Sequence, residues 1–447
     1  MNQALAITCV AEGGRLGPGC RMARQALRRA LSQITGGTLM VIECWEGGET
    51  SVFGRHATGE APLHGTLCLR EASFYRRLTF GGHLAVCEHF VAGGWDSPHL
   101  LPTLQLLARN QTLLDGLEEG FFSRIAASLA SATYRLLQNN TVKGSQKNIM
   151  AHYDLGNDFF ALVLDETMAY SSGLFESADT TLHQAQLAKL DRLIDKLELN
   201  ANEHLVEIGS GWGALAIRAA QRTGCRVTSI TVSPAQHAEA NLRVKEAGLE
   251  AQVSIVLEDY RLLTPPPGGF DKCVSVEMIE AVGHEFLPDY FAAIERLLKP
   301  SGRAVIQAIT VPDRRYDKAR GEVDFIKKYV FPGACIPSIK AMTSAAAAQS
   351  DLSLTHLEDF TPHYATTLTA WRKRLFEARG RILAAGYPET LIRLWDLYLC
   401  YCAAGFDERI IGLVQTEWRR ARCIAAPLVT PRSLAPAALP WTLGRNP

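Results

Sequence analysis

The sequence predicts an α/β protein in which a large domain with a doubly wound, mainly parallel sheet follows a smaller N-terminal α+β domain. Its length of 447 residues exceeds that of a usual single domain. Between about residues 200 and 310, short apolar runs that suit strands alternate with amphipathic segments that suit helices. The first of these strands runs into a glycine-rich loop, which is typical of a ligand-binding α/β sheet.

The N-terminal third contains an extension and the smaller domain. Residues 1–36 form the extension, in which residues 23–34 have the pattern of a basic amphipathic helix. A solvated terminal helix explains that pattern better than a membrane contact does. Residues 37–140 are the α+β domain, which we expect to serve membrane docking or dimerisation. Its β-like runs are 38–44 and 63–69, and its helical patterns are 72–77 and 100–138.

The large domain covers residues 141–424. Its C-terminal part, 340–424, has a mostly helical pattern, and residues 425–447 are rich in Pro and Ala and are predicted to be a flexible tail. A Lys-Pro-Ser-Gly turn is predicted at 299–302. The predicted strands are 204–208, 226–231, 253–257, 272–276 and 303–309, and the helices between them are 214–222, 234–246 and 287–298.

Composition and charge exclude several classes of protein. Lys plus Arg equals Asp plus Glu at 46 each, so no overall positive field would gather nucleic acid. The 11 cysteines contain no CxxC pair, which indicates reduced thiols in a cytoplasmic protein and neither a disulfide framework nor a metal site. No apolar run of about 18 residues occurs, so no segment is predicted to span a bilayer. A lipid substrate would therefore be reached from the aqueous side.

The strongest chemical signal is the loop in residues 204–213, where a strand is followed by glycines at 209, 211 and 213 and then by a helix. Glycines let the backbone approach a ligand closely, although a tight structural turn uses the same residues. The spacing is GxGxG, and residues 231–233 lack the carboxylate that a dinucleotide fold places there, so NAD fits poorly. The loop also lacks GK[ST], which excludes a P-loop.

This loop resembles motif I of the class I S-adenosylmethionine (SAM) methyltransferases, which have a Rossmann-like doubly wound sheet. Glu258-Asp259-Tyr260 stands where that family contacts adenine. More of the chain, from about residue 70 to about 424, resembles the cyclopropane-fatty-acyl-phospholipid synthases and their mycolic acid relatives. The motifs that carry this resemblance include HYDLGND at 152–158, MAYSS at 168–172, TVSPAQ at 231–236, KKYVFPG at 327–333, YATTLTAW at 364–371 and CAAGF at 402–406.

The resemblance implies a peripheral enzyme at the inner face of the membrane that takes a one-carbon unit from SAM to the cis double bond of a phospholipid acyl chain. A homodimer is expected. Each residue that matches a SAM contact also has an ordinary structural alternative, such as core packing for Tyr170 or a strand end for Thr231. The matching residues are Tyr170, Ser171, Glu207, Gly209, Gly211, Trp212, Gly213, Thr231, Gln236, Asp259 and Tyr260.

The resemblance also assigns catalytic positions. Glu280 matches the family's active-site glutamate, Tyr364 its tyrosine, and Cys402 a cysteine that we expect to line the site as a small hydrophobe rather than to act as a nucleophile. In the family a bicarbonate ion serves as the base and has five ligands. Here Glu280, Ile309 and Tyr364 match, whereas Ser172 and Gln307 replace a cysteine and a histidine, so bicarbonate should bind more weakly and the identity of the base is open.

Glu277 stands where a typical synthase has Gly, three residues before Glu280, and on a helix the two would share a face. It is a candidate to replace bicarbonate as the base; the alternative is that it faces solvent or pairs with a nearby cation. Cyclopropanation is the favoured product, and a methyl-branched unsaturated chain is the alternative. Two other interpretations are a methyltransferase that acts on a small soluble acceptor and a catalytically inactive lipid-binding protein.

Overall fold

The structure is a computed structural model and describes residues 17–55, 62–113 and 155–420. The predicted domain boundary near residue 140, the flexible tail at 425–447 and the start of the extension lie outside these residues. In the described ranges no helix combines the length and the apolar character that crossing a membrane would need.

The N-terminal domain is a four-stranded sheet covered by helices. Its strand order is β2-β1-β3-β4, with β1 and β3 parallel and both outer pairs antiparallel. The second helix is far longer than the predicted 72–77 and breaks at Gly82, which has φ 58°. The elements are α1 (Pro18–Leu31), β1 (Gly37–Glu43), β2 (Thr50–Phe53), β3 (Leu63–Leu69), α2 (Ser73–Val91), β4 (Trp95–Asp96) and α3 (Leu100–Arg109).

The large domain contains a seven-stranded sheet in the order β7-β6-β5-β8-β9-β11-β10. Five strands are parallel, as predicted, and β10 and β11 complete the sheet in antiparallel register. The prediction of a mostly helical segment at 340–424 was therefore wrong for these two strands. The strands are β5 (His204–Ile208), β6 (Arg226–Thr231), β7 (Val253–Leu257), β8 (Phe270–Val276), β9 (Leu298–Thr310), β10 (Ser353–Asp359) and β11 (Gly412–Arg419).

The turn predicted at 299–302 lies within β9. Leu298 pairs with Phe270 and Arg303 pairs with Lys272, so four residues of β9 stand opposite one residue of β8. The Lys-Pro-Ser-Gly segment thus forms a bulge rather than a separate turn before the strand.

Helices cover both faces of the sheet because neighbouring strand residues point to opposite sides. Leu205 belongs to one apolar core and Val206 to the other. The helices are α4 (Gly156–Val163), α5 (Leu182–Leu197), α6 (Ala214–Thr223), α7 (Pro234–Glu246), α8 (Leu287–Leu297), α9 (Asp313–Gly321), α10 (Phe325–Tyr329), α11 (Ile339–Gln349), α12 (Thr361–Glu377), α13 (Arg379–Ala384) and α14 (Glu389–Asp407).

A single apolar core joins the N-terminal domain to helices α4, α12 and α14. Polar contacts fix the same junction. Arg109 at the end of α3 makes a bidentate pair with Glu408, and Arg393 on α14 donates to the carbonyl oxygens of Phe90 and Trp95. The two domains therefore form one packed unit, and the N-terminal helices can line a site in the large domain.

Candidate active site

A cavity of about 1390 Å³ opens at the carboxyl ends of β5, β6 and β8. Ligands of doubly wound sheets bind at this edge. Its wall is mostly apolar, and it extends from the glycine loop to the N-terminal domain, where Leu78, Leu104 and Leu107 contribute side chains. The cavity thus has a polar end at the sheet and an apolar end between the domains.

The glycine loop forms the polar end. Gly209, Gly211 and Gly213 have φ values of 93°, 49° and 88°, which disfavour any residue with a Cβ. A Cβ at Gly209 would lie 3.3 Å from Cγ of Met278, so a side chain there would crowd the loop. Gly213 is the N-cap of α6 and directs the helix N-terminus toward the loop.

Ten of the eleven predicted SAM-contact residues line this cavity, and Gly213 supports the loop beside it. Thr231 donates its hydroxyl proton to Oε1 of Gln236 over 2.9 Å. Asp259 is buried and pairs with Arg261, with the nearest atoms 2.6 Å apart. The hydroxyl of Tyr170 donates to that of Tyr398 over 3.1 Å. Hydrogen bonds and an ion pair thus hold these polar groups at the cavity.

Lys189 is a site residue that the sequence analysis missed. Its side chain is fully buried on α5 and donates to Oγ of Ser171 over 2.7 Å. Burial lowers the pKa of Lys189 to about 8, whereas burial raises the pKa of Glu207 to about 8. A detectable signal was present in the sequence, because Lys189 shares the helix face of the buried Ala185, Gln186 and Leu193.

Glu277 lines the cavity. It follows β8 directly with φ 50°, so it lies outside the short 3₁₀ helix Ile279–Ala281, and the predicted shared helix face with Glu280 was wrong. Its Oε1 accepts from the backbone N–H of Ser172 over 3.0 Å and from Nε2 of Gln307 over 2.7 Å. Its Oε2 accepts from the Tyr364 hydroxyl over 2.5 Å. Three donors therefore hold one carboxylate.

Glu280 has fewer hydrogen-bond partners than Glu277. Its Oε1 accepts from the backbone N–H of Ile309 over 2.5 Å, and its buried Oε2 has no hydrogen-bond partner. Burial, together with repulsion from Glu277, raises the pKa of Glu280 to about 8. Burial also raises the pKa of Glu277, but its three donors and Lys189 oppose that shift. The charged form of Glu277 therefore has more hydrogen-bond support than that of Glu280.

The other predicted catalytic positions surround these two carboxylates. Tyr364 is buried and stacks on Phe406 with ring centroids 4.5 Å apart. Cys402 lines the cavity, and burial raises the pKa of its thiol, which disfavours the thiolate that a nucleophile needs. The hydroxyl of Ser172 donates to the carbonyl of Gly173. The site thus brings two buried carboxyl groups and aromatic faces next to an apolar cavity.

Comparison with known proteins agrees with this geometry. Residues 140–416 match the family described as mycolic acid cyclopropane synthetase. The chain is 38% identical to a tuberculostearic acid methyltransferase of Mycobacterium tuberculosis over 77% of this chain and 81% of the relative. It is 33% identical to the cyclopropane-fatty-acyl-phospholipid synthase of Escherichia coli K12 over 81% and 89% of the two chains.

A solved structure of a mycolic acid cyclopropane synthase complexed with SAH and CTAB superposes with a TM-score of 0.57 at 31% identity, over 62% of this chain and 98% of that one. SAH is the product that SAM leaves after methyl transfer. The glycine loop and the buried polar groups beside it fit that cofactor. The chain is an enzyme that uses SAM as its cofactor, and it belongs to the mycolic acid cyclopropane synthetase family.

Proposed function

We propose that this enzyme transfers an intact methyl group from SAM to the cis double bond of an unsaturated phospholipid acyl chain and yields a methyl-branched unsaturated chain, with Glu277 as the base. The observation that carries this proposal is the carboxylate of Glu277 bound by Ser172, Gln307 and Tyr364. The resemblance assigned these same three positions to a bicarbonate ion. That a carboxylate of the chain itself bonds to these positions supports a role for Glu277 in place of that anion.

SAM supplies an electrophilic methyl group when it is bound. The π electrons of the alkene form a bond to this methyl carbon while the carbon–sulfur bond breaks, which leaves a carbocation on the chain. Glu277 then takes a proton from a neighbouring chain carbon, and the electrons of that C–H bond form the new double bond. The anionic carboxylate and the ring faces of Tyr364 and Phe406 would stabilise the cation before the proton leaves.

Two further features support a phospholipid acyl chain as the acceptor. The apolar end of the cavity lies between the two domains and suits a long hydrocarbon chain better than a small polar acceptor. Basic side chains line the same cavity and would attract an anionic headgroup. They belong to Arg315, Lys318, Arg320, Lys327 and Lys328.

Cyclopropanation is the second candidate, because a relative at 33% identity is named as a cyclopropane synthase. In that reaction the proton leaves the transferred methyl group and the ring closes. A relative at 38% identity is named as a methyltransferase and favours the first candidate. The two reactions share the cofactor, the acceptor and the first step, so the fate of one proton distinguishes them.

The test is incubation of the purified enzyme with SAM that carries a trideuterated methyl group and with liposomes of a mono-unsaturated phospholipid. Mass spectrometry of the released acyl chains then counts the deuterium, and ozonolysis locates any remaining double bond. We expect three deuteriums on a branched chain that still has a double bond in its backbone. Two deuteriums on a saturated chain would establish the ring instead, and no label transfer despite SAM binding would reject the acceptor.

A further inference from the structure

A chain of side-chain hydrogen bonds runs from Glu277 across two neighbouring strands of the sheet to Lys196 on α5. Gln307 on β9 and Gln415 on β11 are cross-strand partners, and both side chains are fully buried. Nε2 of Gln415 donates to Oε1 of Gln307 over 2.9 Å. Nζ of Lys196, near the end of α5, donates to Oε1 of Gln415 over 2.6 Å. The chain thus connects a cation to the active-site carboxylate through two amides.

The two ends of the chain determine the orientation of both amides. An ammonium group can only donate, so the oxygen of Gln415 must face Lys196 and its nitrogen must face Gln307. The oxygen of Gln307 is then occupied, and its nitrogen donates to Glu277. If Gln307 were reversed, its oxygen would meet a carboxylate oxygen and two acceptors would face each other. Both amide dipoles therefore point their positive ends toward the carboxylate.

A carboxylate anchors the cation at the other end. Lys196 and Arg192 both pair with the carboxylate of Glu358, at 2.6 Å and 2.8 Å, and Glu417 is a further anion that acts on Lys196. The Lys196 side chain is only 8% exposed, and screening by water is correspondingly weak. Aligned hydrogen bonds in a buried region polarise one another, which lets the cation act on a carboxylate that it does not touch.

We propose that Lys196 and Gln415 are positioning residues, which through their hydrogen bonds orient Gln307 toward Glu277 and hold that carboxylate as the anion that accepts the proton. This inference rests on the proposed role of Glu277. In an isolated pair of buried glutamines, only one amide oxygen and one amide nitrogen would have a hydrogen-bond partner. This pair instead ends on a charged donor and on a charged acceptor, which is the arrangement that transmits charge.

The pH dependence of kcat provides the test. The groups that face Glu277 directly are Tyr364 from α12, Gln307 from β9, and the charges of Lys189 on α5 and Glu280. Of these groups only Gln307 bonds to Gln415, so Tyr364, Lys189 and Glu280 stay in place when Gln415 or Lys196 is changed. In Gln415→Met and Lys196→Met the Glu277 anion loses support, so the acid limb of the kcat profile should move up by roughly 0.5 to 1 pH unit.

The matched control is Arg192→Met, which removes a cation from the same ion cluster but no hydrogen bond of the chain. It should leave the acid limb at the wild-type position. An equal shift of the acid limb in Arg192→Met would overturn the proposal. So would an acid limb that stays at the wild-type position in both Gln415→Met and Lys196→Met. Gln415→Met and Lys196→Met are both tested so that a folding defect in one does not decide the result. SAM affinity measured by calorimetry should be unchanged in both.

Glu277→Gln separates failure of this inference from failure of the proposed function. If that variant binds SAM but loses turnover while Gln415→Met keeps the wild-type profile, Glu277 is the base and the amide chain is not needed. If Glu277→Gln keeps full turnover, the base lies elsewhere, and both proposals fail together.

Discussion

The hydroxyl of Tyr364 lies 2.5 Å from Oε2 of Glu277 and donates to it. This bond joins helix α12 to the residue that follows β8. Because it favours the charged form of Glu277, it lowers the pKa of the carboxyl group against the effect of burial.

Tyr364→Phe should therefore raise the pKa of Glu277 and move the acid limb of the kcat profile to higher pH. A base must be ionised to accept a proton, so activity falls as the pH drops through the pKa of Glu277. Removal of a donor that lowers this pKa shifts the fall upward, by about one pH unit. The measurement is kcat between pH 5.5 and 8.5 at saturating SAM. A limb that stays in place would show that Glu277 is not the titrating group.

Glu280 should make the folded state less stable as the pH rises. Its pKa is about 8 in the folded protein and lies near 4.5 when unfolded, so the folded state binds the extra proton between these values. The free energy of unfolding should thus decrease with pH, by at most about 1.4 kcal/mol per unit from this group. Glu280→Gln should have a shallower decrease than the wild type in urea unfolding at pH 5.5, 6.5 and 7.5. Parallel curves for the two proteins would contradict the assignment of the proton to Glu280.

Gly209→Ala should weaken SAM binding as well as stability. Gly209 has φ 93°, and an added Cβ would lie 3.3 Å from Met278. We expect a loss of about 1 to 3 kcal/mol in unfolding free energy from the strained backbone. Gly248→Ala is the matched control, because Gly248 has φ 67° with no atom within 4 Å of the added Cβ. Calorimetric titration with SAM should show lower affinity only for Gly209→Ala; equal affinities would remove the loop from the cofactor site.

Leu107→Trp should block the apolar end of the cavity. Leu107 lines the cavity from α3, whereas Leu101 on the same helix does not, which makes Leu101→Trp the control. If the acyl chain extends between the domains, Leu107→Trp should reduce turnover of phospholipids with 18-carbon chains and leave SAM affinity intact. Liposome assays with chains of two lengths measure this effect. Equal turnover in both tryptophan variants would place the acyl chain elsewhere.

The sequence was sufficient to predict the five parallel strands and the glycine loop, because local apolar runs and glycines encode both. It was insufficient for β11, whose buried positions include Gln415, Thr416 and Glu417 and so lack an apolar alternation. The edge strand β10 is mostly exposed, and its sequence also lacks an apolar alternation that would predict a strand.

The site was predictable as a set of residues but not as a set of contacts. Glu277 was singled out by its position in the chain, yet its partners Ser172, Gln307 and Tyr364 come from segments 30 to 105 residues away. Glu277 also has φ 50° and lies before the 3₁₀ helix Ile279–Ala281, a backbone conformation that the sequence pattern does not predict. Lys189 was missed because a lysine in an amphipathic helix is ordinarily a surface residue.

Glu277→Gly should convert the enzyme to dependence on an added anion. The change restores the glycine that the resemblance expects, and φ 50° suits glycine, so the fold should tolerate it. It removes the base but leaves the donors of Ser172, Gln307 and Tyr364 facing an open space. Without added anion, turnover should fall by roughly 10²- to 10⁴-fold, the usual contribution of a general base.

Added bicarbonate should restore part of the turnover of Glu277→Gly, since those donors can bind its oxygens. Glu277→Gln is the control, because its amide fills the same space and excludes the ion; it should stay inactive at every bicarbonate concentration. The assay is label transfer from trideuterated SAM in buffer freed of carbon dioxide and then supplemented with bicarbonate. If Glu277 occupies the anion position, only its removal in Glu277→Gly opens a site for bicarbonate. Rescue of both variants, or of neither, would show that Glu277 does not occupy that position.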